Sequence, residues 1–137
     1  MSAIDLFAAF ATNEVAEVEG IETQIPGCGD TLFLVARDGN KAYSKLLQKL
    51  VKQNRAVLDS KGSAADKKND EIYVEVLART ILLSWKGAIN LQGVMTPYSY
   101  EAAVKLLSLK EFRGAVTSVS EAMELFRLEK EEEDAKN

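Results

Sequence analysis

At 137 residues, with 47% hydrophobic and 28% charged side chains, the chain has the size and make-up of one soluble domain that can build its own core. It contains no His and a single Cys, which excludes Ser-His and Cys-His nucleophile pairs, histidine proton shuttles, intrachain disulfides and thiolate metal clusters. The formal net charge of −4 is unevenly spread, since residues 1–36 carry six acids and no base, whereas residues 37–68 carry nine bases and three acids.

The chain opens on a predicted helix of about ten residues, too short to persist alone in water. Ser2 caps it, with Asp5 at the third helical position in a capping-box-like arrangement. Leu6, Phe7 and Phe10 form its apolar stripe. Such a helix must dock, either on its own core or as an arm on a neighbour. No Lys or Arg precedes these apolar residues, so the segment is not a secretory signal, and no apolar run approaches the roughly 18 residues of a membrane span. A cytoplasmic protein is expected.

Residues 15–25 mix Val15, Val18 and Ile21 with Glu17, Glu19 and Glu22, which predicts a strand. Residues 26–30 hold Pro26, Gly27, Cys28 and Gly29 and form a turn, in which Cys28 is a small residue rather than a reactive thiol. Residues 31–36 are β-branched and aromatic, so residues 15–36 predict a hairpin. Asn40 is a good N-cap. From Lys41 the period turns helical, with Tyr43, Leu46, Leu47, Leu50, Val51, Val57 and Leu58 on one face and Lys41, Lys45, Lys49 and Lys52 on the other.

Residues 59–70 carry no apolar anchor beyond Ala64 and Ala65 and predict a mobile surface loop. Residues 71–86 predict a central helix buried on most sides, with two apolar stripes, ended by Gly87. A short polar loop turned at Gly93 leads to Ser99, the cap of a helix whose Ala103, Leu106 and Leu107 face inward. The last helix starts near Lys110. Its Phe112, Val116, Val119, Met123 and Phe126 repeat at coiled-coil spacing, which serves either the core or a seam with another copy. The expected fold is therefore mainly α with a small N-terminal β-hairpin, about four helices packed in one domain over residues 1–128. Residues 129–137 form a charged, flexible tail.

Without His, an enzyme would need Asp, Glu, Lys or Tyr as its base, and no paired-carboxylate or phosphate-loop spacing is present. No enzymatic activity, metal or cofactor is expected, which leaves recognition. The candidate contact surface is an aromatic corner of Trp85, the sole Trp, with Tyr98 and Tyr100. Trp85 either touches a partner or plugs the core and holds the corner in place; Tyr98 and Tyr100 are the better contacts. Phe7 and Phe10 join them on the N-terminal arm. For self-association the candidates are Lys45, Lys49 and Lys52, through attraction between the opposite charge blocks, together with Phe112, Met123 and Phe126. The basic block also raises nucleic-acid binding, but it lacks interleaved aromatics and the chain as a whole is acidic.

Three groups of residues resemble the tail assembly chaperones of long-tailed bacteriophages. They are Asp5-Leu6-Phe7-Ala8-Ala9-Phe10-Ala11-Thr12, then Val35-Ala36-Arg37 with Gly39-Asn40 and Tyr43, then Trp85-Lys86-Gly87 followed by Pro97-Tyr98-Ser99-Tyr100-Glu101 and Leu106-Leu107. The family's loop often has Asp-Gly where this chain has Gln92-Gly93. The resemblance implies a non-enzymatic protein of the host cytoplasm that binds and solubilises the tape measure protein, recruits tail tube subunits, self-associates, and is absent from the mature virion. A minor virion or head–tail connector protein, and a small DNA-associated regulator, are the competing expectations.

Overall fold

The computed structural model describes residues 3–127. Its first helix, α1 (Leu6–Phe10), starts where the Asp5 carboxylate accepts from the Phe7 and Ala8 amides at 3.0 and 3.4 Å. A second, α2 (Glu14–Glu19), stands where sequence pattern predicts strand. Its determinant is Asn13, whose Oδ1 accepts from the Val15 and Ala16 amides, so that the glutamates fall on a helix N-terminus that favours them. Gly20 ends α2 at φ +88°, with Leu34 Cγ 3.1 Å from where a β-carbon would stand. That close approach lets β1 (Ile21–Thr23) turn onto β2 (Phe33–Val35), antiparallel with Ile21 opposite Val35.

Next come three helices. The Asn40 side chain accepts from the Tyr43 amide at 3.0 Å and starts α3 (Lys41–Gln53). A break at Asn54 leads to α4 (Arg55–Asp59). The long α5 (Ser63–Thr80) begins after Gly62 and replaces the predicted mobile loop. Lack of large apolar residues in residues 63–70 does not oppose helix, because Ala and Lys are strong helix formers. Ala65 is buried there, and Lys68 pairs with Glu71 one turn on at 3.0 Å.

The predicted central helix also stops early. At Thr80 the chain leaves α5 and enters β3 (Leu82–Trp85), which pairs antiparallel with β2, Phe33 lying opposite Trp85. The carbonyls released at this exit have partners: Asn40 Nδ2 donates to the Thr80 oxygen at 3.4 Å and the Ala36 amide to the Ile81 oxygen at 2.9 Å. The three-stranded sheet runs β1-β2-β3. Beyond it, β4 (Ala88–Leu91) and β5 (Val94–Pro97) form a separate hairpin, then α6 (Tyr100–Leu107), α7 (Lys110–Glu121) and a 3-10 turn (Met123–Phe126) complete the described chain. Leu91 pairs with Val94 around Gln92 and Gly93, both at positive φ, as a two-residue type I′ turn requires.

The expectation of about four helices with one small hairpin is thus corrected. The described residues form an α+β fold of seven α-helices and five strands in two antiparallel sheets. The core lies where Phe33, Val35, Leu82 and Trp85 of the sheet meet Val74, Leu77, Ala78 and Ile81 from α5 and its exit, Ala103 and Leu107 of α6, and Val116 of α7. Helix α5 is buried on two sides because α3 and α4 pack along it as well. The charged tail expected at 129–137 lies outside the described residues.

Asn40→Ala is expected to cost about 2–3 kcal/mol in urea denaturation, since it removes an N-cap and strands a buried carbonyl at the α5 exit. Ser99→Ala, which removes only the α6 cap, is expected to cost about 1 kcal/mol; equal losses would show that the Thr80 contact contributes nothing. Gln92→Asn, which suits the left-handed position better, is expected to raise stability by about 0.5 kcal/mol.

Candidate functional site: the aromatic corner and the uncovered apolar faces

The hairpin β4–β5 stands on an aromatic base. Trp85 ends β3 and is only 5% exposed, so it is the anchor of the corner. Its ring packs edge-on to Phe33 on the core side, at 6.2 Å between centroids, and to Tyr98 on the hairpin side, at 5.1 Å. Its indole Nε1–H donates to the Thr96 carbonyl at 3.2 Å and fastens β5 to β3. The hairpin is thereby fixed to the core at one end. At the other it carries Val94 and Met95, both more than 60% exposed.

Tyr98 and Tyr100 are half-buried beside this base. The Arg79 guanidinium lies 4.3 Å from the Tyr100 ring centroid, close enough for a cation–π contact, and is itself paired with Glu75 at 3.3 Å. Tyr100 also borders an open cleft of about 370 Å³ between α5, α6 and α7. Acids and bases line this cleft together, Asp70, Glu71 and Glu75 with Lys67, Lys110 and Arg113. Burial, then the neighbouring Tyr100, hold the Tyr98 phenol above its ordinary range.

The remaining candidates separate by location. On α1, Phe7 is 92% and Phe10 62% exposed, and no residue of the helix is buried. Lys45, Lys49 and Lys52 are exposed along α3. Phe126 lies in the interior with the Arg37 guanidinium 5.6 Å above its ring. Phe112 is partly buried against Phe33 at 6.2 Å. Met123 falls in the 3-10 turn, and its side chain lies outside the described part. Cys28 is half-buried in its turn, and burial pushes its thiol up, away from the thiolate form. Among the described residues no group of three or more His, Cys, Asp or Glu side chains is placed to hold a metal ion. No helix there is long and apolar enough to cross a membrane.

Val94 and Met95 were not among the sequence candidates. Their signal was alternation, Ala88-Ile89-Asn90-Leu91 and Val94-Met95-Thr96 around Gln92-Gly93, which is a hairpin pattern with a weaker turn pair than Asn-Gly.

Trp85→Phe keeps the ring stack and deletes the donor to Thr96. It is expected to cost about 1 kcal/mol and to speed amide exchange in β4–β5 while leaving α5 protected. The Tyr98 proton is held more tightly in the folded chain, so its stabilising contribution is complete below about pH 10. That contribution is lost as pH rises through the higher folded value. Tyr98→Phe is expected to make alkaline denaturation shallower; an unchanged profile would count against burial of this phenol.

The family model described as YdaY prophage protein matches residues 38–137. No curated protein and no solved structure matches the chain. The match begins at Asp38, so α1, α2, β1 and β2 precede it.

Proposed function

The chain belongs to the YdaY prophage protein family, and we propose that in this phage setting it is a non-enzymatic tail assembly chaperone. It binds the tape measure protein, keeps it in solution, and recruits tail tube subunits in the host cytoplasm, leaving before the particle is complete. The observation that carries the reading is the hairpin β4–β5, a pair of exposed apolar side chains on a base held by Trp85 and Tyr98.

A long helical client with apolar stripes aggregates because those stripes find one another. A holding protein needs apolar surface of its own that is displayed rather than buried, and exposed patches of this kind mark interaction sites. Met95 suits a client of varied sequence, because its unbranched thioether adapts to irregular surfaces. Tyr98 and Tyr100 extend the surface with rings that lose little entropy on binding. The three groups of residues that resemble tail assembly chaperones include this hairpin's two flanks, Trp85-Lys86-Gly87 and Pro97-Tyr98-Ser99.

Co-expression with a tape measure protein from the same phage tests the reading. The client is expected to move into the soluble fraction and to co-purify with the chain. Val94→Ser with Met95→Ser is expected to lower that recovery about tenfold, the scale of losing an apolar anchor from an interface, with melting temperature unchanged. A client equally insoluble with and without the chain would refute the proposal. Mass spectrometry finding the chain in purified particles would favour a virion component instead.

A further inference from the structure

We propose that the open cleft between α5, α6 and α7 binds a small phosphomonoester, a dianionic phosphate carried on a compact planar or apolar body. The proposed client is not involved: of its contact side chains only Tyr100 borders the cleft.

Helical spacing builds the walls. On α5, Lys67, Glu71 and Val74 lie about one turn apart, with Asp70 and Glu75 beside them, so they share one face. On α6, Tyr100 and Val104 are one turn apart, and Ser108 follows after another. Lys110 and Arg113 stand together at the start of α7. Val74, Val104 and the Tyr100 ring give the cleft an apolar side. At about 370 Å³ it falls in the size range of small-molecule sites.

The charges that line it are not equally free. Glu71 is paired with Lys68 at 3.0 Å and Glu75 with Arg79 at 3.3 Å, and neither of those cations lines the cleft. Asp70, Lys67, Lys110 and Arg113 form no ion pair among the described residues. Three unpaired cations thus face one unpaired carboxylate, a surplus of two positive charges. A phosphomonoester carries close to two negative charges at neutral pH, whereas a single carboxylate carries one. Asp70, Glu71 and Glu75 repel a long polyanion, so the ligand is compact.

Arg113 separates a ligand site from a solvated face. It is only 9% exposed, yet it lines the cleft. The Tyr73 ring, centred 5.5 Å from its guanidinium carbon, steadies the charge but offers no oxygen to its N–H donors. A buried charge without a partner is costly, and the guanidinium fork is shaped for two oxygens of one phosphate. The same end of α7 adds donors of its own. Its N-cap residue is Leu109, and no side chain caps the helix. Its first amides therefore remain available to an anion at the positive end of the helix dipole. Glu111 stands in that turn too, but it is exposed and does not line the cleft.

Titration of the full chain with adenosine monophosphate, followed by amide NMR, tests the site. The amides of Lys110, Glu111 and Phe112 are expected to shift together and to saturate, while adenosine leaves them unmoved. Affinity is expected to fall as pH drops through about 6, where the phosphate takes up its second proton. Inorganic phosphate is expected to move the same amides at weaker affinity, because it lacks the body that packs on Tyr100, Val74 and Val104. Lys67→Gln with Lys110→Gln, both exposed, is expected to weaken binding about tenfold. Asp70→Asn, which removes the unpaired acid, is expected to tighten it about threefold. Arg113→Lys keeps the charge, loses the fork and is expected to weaken binding about tenfold; should that variant not fold, the exposed pair decides alone. Adenosine binding as tightly as its monophosphate overturns the proposal, as does the absence of a saturable shift at the start of α7. Unchanged affinity in the Lys67 and Lys110 variant overturns it too, and inorganic phosphate binding equally well overturns the organic body. A short DNA duplex that moves the same amides at higher affinity would assign the cleft to nucleic acid instead.

Discussion

Everything in this fold passes through the point where α5 stops being a helix. Thr80 and Ile81 give up carbonyls that a longer helix would have used, and an unpaired buried carbonyl is costly. The Asn40 side chain and the Ala36 amide take them. Asn40 is bound to three segments at once: its amide donates to the Arg37 and Thr80 carbonyls while its oxygen caps α3. One buried side chain thus sets the start of α3, the end of α5 and the seat of the sheet's central strand. The indole of Trp85 lies opposite Phe33 because β3 begins where it does. The hairpin hangs from that indole.

Local chemistry was legible wherever one residue decides the outcome. Asn40 and Ser99 cap helices as their types demand, the turn at 26–30 follows from its residue types, the strand expected over 31–36 is present as the shorter Phe33–Val35, and of the two readings of the α7 stripe Val116 takes the core. Two kinds of segment were not legible. Residues 81–85 are a short apolar run, which suits a buried helix and a buried strand equally; only the free edge of β2, distant in sequence, decides for strand. Residues 14–19 alternate well enough for a strand, but Asn13 supplies a cap that tips six residues into helix. Pairing is a non-local property, and periodicity does not contain it.

The candidate contacts show the same division. Trp85 has the composition of a contact residue, and burial makes it a fixture that works through what it holds. Phe7 and Phe10 have the composition of core residues and are left in solvent. Their helix is too short to carry a face to the core and return, and its root is tied at the α7 end. Uncovered apolar surface is the common property of α1, the rim of α3 and the hairpin. It lies outside the shared core, so each patch is available for recognition without cost to the fold.

The family match starting at Asp38 places a boundary inside the sheet rather than beside it. Strand β2 ends at Val35, so the matched portion owns β3 but not the strand that covers it. Taken alone, that portion presents a bare strand with a row of unused backbone donors and acceptors, which is a template for any extended chain that reaches it. The segment before Asp38 is thus more than an appendage to the matched portion. It is the missing stave of the sheet, and an excision drawn at the family boundary would create a new, sticky edge in place of a smaller protein.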